Sequence, residues 1–292
     1  MTRTEKHPMP VLLMGILGIS LSSIFVRYSP APSTVTAAWR LLCTVILMTP
    51  MMFSRKQVRR ELLSVSRSAA LLSILSGVFL AVHFATWFES LKLTSVASST
   101  TIVCTEVIWV CLGYCLFLKG RITGKAGLAI AVTLLGSTLI AWSDSSRGHG
   151  LQGDLLALAA AVSVAVYTLL GRVVRTKTST SVYTYLVYTA CAAVLLVMCA
   201  LRGHDLMGWG LRAPLVGVLL AVFSTILGHS IFSWCLKFYS PAFVSATKLC
   251  EPVVAAILAG FLFAEIPTPA QILGGTLILG GVIFYARLES QS

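Results

Sequence analysis

Four stretches of this chain, 68–88, 178–201, 213–236 and 266–286, run for more than twenty residues each without an Asp, Glu, Lys or Arg. A helix needs about 20 mainly apolar residues to cross roughly 30 Å of hydrocarbon, and each stretch suffices. A soluble domain covers its surface with charge, about a quarter of its composition. Here 11% of 292 residues are charged, 57% are hydrophobic, and the mean hydropathy is +0.89. The same values exclude a disordered, collagen-like or disulfide-scaffold chain. An integral membrane protein remains.

Apolar segments broken by one or two ionisable residues extend the pattern. Ten helices are expected, over 10–28, 32–53, 69–91, 96–118, 123–142, 151–173, 180–201, 211–237, 241–264 and 268–287. The first begins like a signal peptide but lacks a clear small-residue cleavage site, so it is expected to be retained. Thr268-Pro269 reads as an N-cap with proline at the first helical position, and Pro241 opens the ninth helix in the same way. Connections are short, which predicts no extramembrane domain. All eight cysteines fall inside apolar stretches and read as small packing residues rather than disulfide or zinc ligands.

The net charge of +12 is distributed unevenly. With the N-terminus in the cytoplasm, the inner loops and termini hold fifteen Lys and Arg, the outer loops five, and Arg40 and Lys248 lie within spans. That bias predicts two cytoplasmic termini and basic loops against anionic headgroups, not a nucleic-acid partner.

Shifting the chain by 145 residues aligns 87–140 with 232–285 without a gap. The identities include Leu91/Leu236, Lys92/Lys237, Glu106/Glu251, Thr123/Thr268 and Gly136/Gly281. The acidic pair weighs most, because acids within spans are rare. Two halves, 1–145 and 146–292, would each hold five helices. An odd number turns the second half upside down, the inverted repeat of many secondary transporters.

The run Cys250 to Tyr285, CEPVVAAILAGFLFAEIPTPAQILGGTLILGGVIFY, resembles the closing helix pair of the drug/metabolite transporter superfamily, EamA type. Residues 106–142 carry a weaker copy, with Gly120 in place of the acid Glu265 and Val107 in place of Pro252. AAWRLLCTVIL around Arg40 resembles the family's second helix. The resemblance spans essentially the whole chain. It implies an all-α transporter fold with an outward direction of transport. On substrate it is open, since the family handles amino acids, nucleotide bases, other metabolites and drugs.

Seven residues are the candidate substrate site: Arg40, His83, Glu106, Trp109, His229, Lys248 and Glu251. Glu106 and Glu251 each lie about ten residues into a helix, near the midplane, where a charge costs at least about 2.5 kcal/mol. Lys248 and Glu251, three apart, can pair across one turn, either to aid insertion or as part of the site. Pro252 has no N–H for the carbonyl of Lys248, which leaves broken backbone or a packing kink. Arg40 can bind an anion bidentately, or can snorkel and hold bare carbonyls. His83 and His229 are packing residues or proton relays. Trp109 shares a face with Glu106 and either shapes the pocket or packs. Phe88, Trp142 and Trp209 read as interface anchors, and the glycines Gly274, Gly275, Gly280 and Gly281 as a helix-packing or dimerisation face.

No zinc-hydrolase, nucleophile-elbow or Walker motif is present in the sequence, which argues against an enzyme or an ATP-driven pump. The expected protein is a multi-pass secondary transporter of the cytoplasmic (inner) membrane, a monomer or homodimer without cofactor or metal. It would move a small polar metabolite, an amino acid or related compound, outward by proton coupling or exchange, with Glu251 as the coupling residue. Organic anions, nucleobases or drugs are the alternative substrates, and a channel or scramblase the alternative class.

The loop charges generate a direct test. In a background lacking native cysteines, Arg59→Cys is expected to resist an impermeant thiol reagent on intact cells and Arg212→Cys to react. The opposite labelling would reverse the topology.

Overall fold

The computed structural model of the chain describes residues 8–94, 96–143, 150–251, 253–254, 257 and 268–290, and the regular elements among them are helices. In hydrocarbon a helix satisfies its own backbone, whereas an open sheet edge cannot. The first apolar stretch is α1 (Pro8–Ser20) and α2 (Ser22–Arg27), followed by α3 (Ser33–Ser54), a short α4 (Lys56–Leu63) and α5 (Arg67–Leu93). The fourth stretch divides into α6 (Val96–Cys104) and α7 (Glu106–Phe117); α8 (Gly124–Ser143), α9 (Leu151–Arg175) and α10 (Thr180–Leu201) come next. Then α11 (Arg212–Leu219), a π-helical segment (Leu220–His229) and α12 (Ser230–Cys235) run on without interruption, ahead of α13 (Pro241–Lys248) and α14 (Pro269–Glu289).

Eight of these stretches are long and apolar enough to cross a membrane, with 124–140 a shorter apolar helix. The ninth expected helix begins as α13, and most of its remainder, with Pro252 and Glu265, lies outside the described residues. Helix starts follow local chemistry. Ser66, Ser179, Ser240 and Thr268 each accept a backbone N–H three residues on, and Thr268 completes a capping box with Gln271.

The burial pattern is that of a chain solvated by lipid. Ile46, Leu71 and Leu128 are more than 60% exposed, while Arg40, Thr44, Ser76 and Thr225 are fully buried. Many inward hydroxyls donate to the carbonyl four residues back, as Thr44 does to Arg40 at 2.7 Å and Thr133 to Ala129 at 2.7 Å. Phe88 is not an interface anchor. Because α5 continues to Leu93, Phe88 lies inside the bundle, against Phe84 and Trp87. Trp142 is exposed, and Trp209 is tied to the Asp205 carbonyl.

Helix pairing follows the offset of 145. α5 packs on α9, and the π segment packs on α1; α5 packs on α10, and α11 with the π segment packs on α3. α3 also meets α10, its own counterpart, and α8 meets α14. The last pair closes through glycine. A Cβ on Gly136 would come within 2.5 Å of the Gly274 carbonyl oxygen, and one on Gly281 within 2.9 Å of the Ala129 carbonyl oxygen. These contacts run in opposite sequence order, so α8 and α14 are antiparallel. They also turn Gly274 and Gly281 inward, against the same chain, and that part of the glycine face is closed to a second copy.

Gly136→Val is therefore expected to lower the thermal unfolding temperature in detergent, overpacking costing about 1–3 kcal/mol. Gly280, with nothing within 4 Å of an added Cβ, should accept valine without loss.

Candidate functional site

Two helices break beside the paired acids. α6 ends at Cys104, and Thr105 turns the backbone with Thr105 N–H donating to Ile102 O at 3.1 Å and its hydroxyl to the same oxygen at 2.6 Å. One repeat length later α13 ends at Lys248, and Leu249 and Cys250 donate to Ala246 O (3.2 Å) and Thr247 O (3.1 Å) in the same tighter, three-residue pattern. Glu106 and Glu251 each follow a break. Proline cannot explain both, because position 107 is valine.

The break redirects Lys248. Its Nζ lies 2.8 Å from Glu106 Oε1, so the ion pair joins α13 to α7 and one half of the chain to the other. The expected pairing of Lys248 with Glu251 is thus corrected. An i, i+3 pair needs continuous helix between its members, and the backbone turns there. No ion pair to Glu251 is found among the described residues.

Arg40 is fully buried and holds an interior position, which rules out snorkelling. Its Nε donates to Thr225 Oγ1 at 2.8 Å, its Nη1 to Ser22 Oγ at 3.3 Å, and its guanidinium carbon sits 4.2 Å from the centre of the Phe84 ring. Nη2 has no hydrogen-bond partner among the described residues. The π segment supplies the acceptor. With its wider turn the Thr225 hydroxyl donates five residues back, to Leu220 O at 3.2 Å, while accepting from Arg40.

A cavity of about 60 Å3 lies between these elements, lined by Arg40, His83, Glu106, His229, Lys248 and Glu251 together with Trp87 and Ser245. That is room for a few waters or a compact polar solute. Six of the seven candidate residues thus meet in one place. Trp109 does not line it, although it shares α7 with Glu106, and its buried Nε1 has no hydrogen-bond partner among the described residues. Four polar atoms on the lining residues are buried without a hydrogen-bond partner among the described residues: Arg40 Nη2, Trp87 Nε1, His229 Nδ1 and Ser245 Oγ. Buried polar groups normally find partners, so their convergence marks a place for polar ligand atoms.

The histidines stand at the cavity wall as well as in the packing. His83 Nδ1–H donates to Ala160 O at 3.0 Å, and its ring stacks on Trp87 with centroids 5.7 Å apart. His229 meets Phe84 edge to face at 5.4 Å. Trp87 was legible only as the i+4 neighbour of His83. Ser22, Ser245 and Thr225 carried no sequence signal, since Ser and Thr are common in membrane helices.

The fold agrees with what comparison with known proteins shows. Residues 9–142 and 151–287 each match the EamA-like transporter family, and the chain belongs to that family. The uncharacterized transporter YdfC of Bacillus subtilis strain 168 is 25% identical over 194 residues, which cover 66% of this chain and 63% of that protein. An uncharacterized transporter of Archaeoglobus fulgidus is 24% identical over 285 residues, 98% of each chain. A solved crystal structure superposes with a TM-score of 0.81 at 18% identity, over 98% of each chain, and so shares the fold. The family and the apolar helices make the chain an integral, multi-pass membrane transporter of small solutes rather than an enzyme.

Removing one member of a buried ion pair strands the other, at about 3–5 kcal/mol. Lys248→Met and Glu106→Gln should each destabilise the protein, and the double variant should recover most of the loss. Unfolding of the four proteins in detergent measures the coupling; strictly additive losses would mean the pair contributes nothing.

Proposed function

We propose that the chain is a secondary transporter of the cytoplasmic membrane that exports a small polar metabolite, an amino acid or related compound, from the cavity around Arg40. The reading rests on one observation above all: a fully buried guanidinium presents an unpartnered Nη2 at a cavity that Glu251 also lines, while Lys248 is engaged by Glu106. A zwitterion complements that arrangement, its carboxylate on Arg40 and its ammonium on Glu251. Lys248 is in this reading the partner that keeps Glu106 from competing for the ammonium.

The transporter reading includes ten helices in two inverted halves, 1–145 and 146–292, with both termini cytoplasmic. It is supported by the antiparallel α8 and α14, by helix pairing that repeats at the 145-residue offset, and by the fifteen-to-five loop charge. Coupling follows from charge balance. When the substrate's ammonium leaves Glu251, a proton takes its place, and proton and substrate alternate on one carboxylate.

Purified protein screened by thermal shift is expected to be stabilised by an α-amino acid and less by its decarboxylated amine or deaminated acid. Arg40→Gln should abolish that response. In liposomes Glu251→Gln should keep substrate exchange but lose accumulation driven by a pH gradient. Stabilisation indifferent to Arg40 would overturn the site, and wild-type pH-driven accumulation by the Gln variant would move the proton elsewhere.

A further inference from the structure

A second recess, of about 280 Å3, opens at the end of the bundle formed by α7, α9 and α14 and by the connection between α12 and α13. Tyr114, Arg121, Arg172, Tyr239, Tyr285 and Glu289 line it, from both halves of the chain. It is separate from the central cavity; the two share no lining residue.

The backbone builds the first side. Lys119 adopts a positive φ of 53°, Gly120 N–H donates to Tyr114 O at 3.0 Å, and a Cβ on Gly120 would fall 2.2 Å from the Tyr114 ring. Only glycine fits that approach, and the turn it permits carries Arg121 to the rim, exposed. On the other side Arg172, near the end of α9, donates among the described residues through Nη1, to Leu236 O and to Tyr239 O. Its acceptors are neutral carbonyls of the connection that leads into α13.

The charges in the recess do not cancel. Neither guanidinium pairs with a carboxylate among the described residues. The one acid of the lining, Glu289, accepts the Ser240 backbone N–H at 2.5 Å, at the start of α13. Two guanidiniums with spare donors and three phenols therefore face a space large enough for a solute or a headgroup. Arginine suits carboxylate and phosphate because its planar fork donates two parallel hydrogen bonds, and such charged bonds are about twice as strong as neutral ones.

We propose that this recess is an oxyanion-binding site, in which Arg121 and Arg172 hold the carboxylate or phosphate group of a soluble anion or of an anionic lipid. An oxyanion would take the spare donors of Arg172 while Nη1 keeps its two carbonyls, so occupancy would add to the tie between α9 and the α12–α13 connection.

The test uses the full-length protein and inorganic phosphate as the probe, with chloride at matched ionic strength as the reference. Phosphate is expected to stabilise the wild type saturably, and Arg121→Gln, at an exposed position, to weaken that binding about tenfold or more without lowering the unstimulated unfolding temperature. Arg172→Lys should weaken it too, and Arg40→Gln should leave it unchanged. Reconstitution in phosphatidylcholine with and without phosphatidylglycerol separates the sources. If a lipid occupies the recess, phosphatidylglycerol stabilises the wild type but not Arg121→Gln and suppresses the phosphate response; if a soluble anion does, that response persists. The proposal fails if neither phosphate nor phosphatidylglycerol stabilises the wild type, if Arg121→Gln responds as the wild type does, or if Arg40→Gln removes the response.

Discussion

Lys248 and Glu106 each carry a charge that hydrocarbon would not tolerate alone, and each cancels the other at 2.8 Å across the junction of the two halves of the chain. Much of the site depends on that match. It ties α13 to α7 at the two places where the helices break, so the breaks are held against one another. It also leaves Glu251 without a cation in the same helix, turned to the cavity that Arg40 lines. Had Lys248 paired with its own helix neighbour, the cavity would contain a neutral pair and an isolated Glu106.

The cavity lies where equivalent positions of the two halves meet. Phe84 and His229 are 145 apart in sequence and touch edge to face; Glu106 and Glu251, with the same spacing, line one space. Symmetry places the site but does not supply its chemistry. The positions equivalent to Arg40 and Lys248 are Tyr185 and Val103, so each cation occurs once.

Close helix approach supports this arrangement. Where α1 passes the π segment, a Cβ on Gly18 would lie 2.6 Å from Phe223 O, and one on Gly228 2.6 Å from the Ile19 side chain. Without a hydrophobic force between helices in lipid, such contacts and interhelical hydrogen bonds hold the bundle. The π segment that glycine admits on one side presents Thr225 to Arg40 on the other. Packing and site chemistry are joined there through one wide helical turn.

Sequence by itself determined the solvent, the helical class, most helix limits, the repeat and six of the residues around the cavity. These follow from local quantities: runs without charge, caps such as Thr268, and the cost of an ion within a span, which makes Arg40, Glu106, Lys248 and Glu251 conspicuous. Tertiary structure alone decided who pairs with whom. Lys248 has an acid three residues away and another 142 residues away, and only the turn at Leu249–Cys250 selects the distant one. Likewise Trp109 shares a helix with Glu106 yet does not line the cavity, while the packing of α5 on α9 brings Trp87 to it. Spacing along a helix predicts a shared face only while the helix stays regular, and this chain has its site where regularity ends.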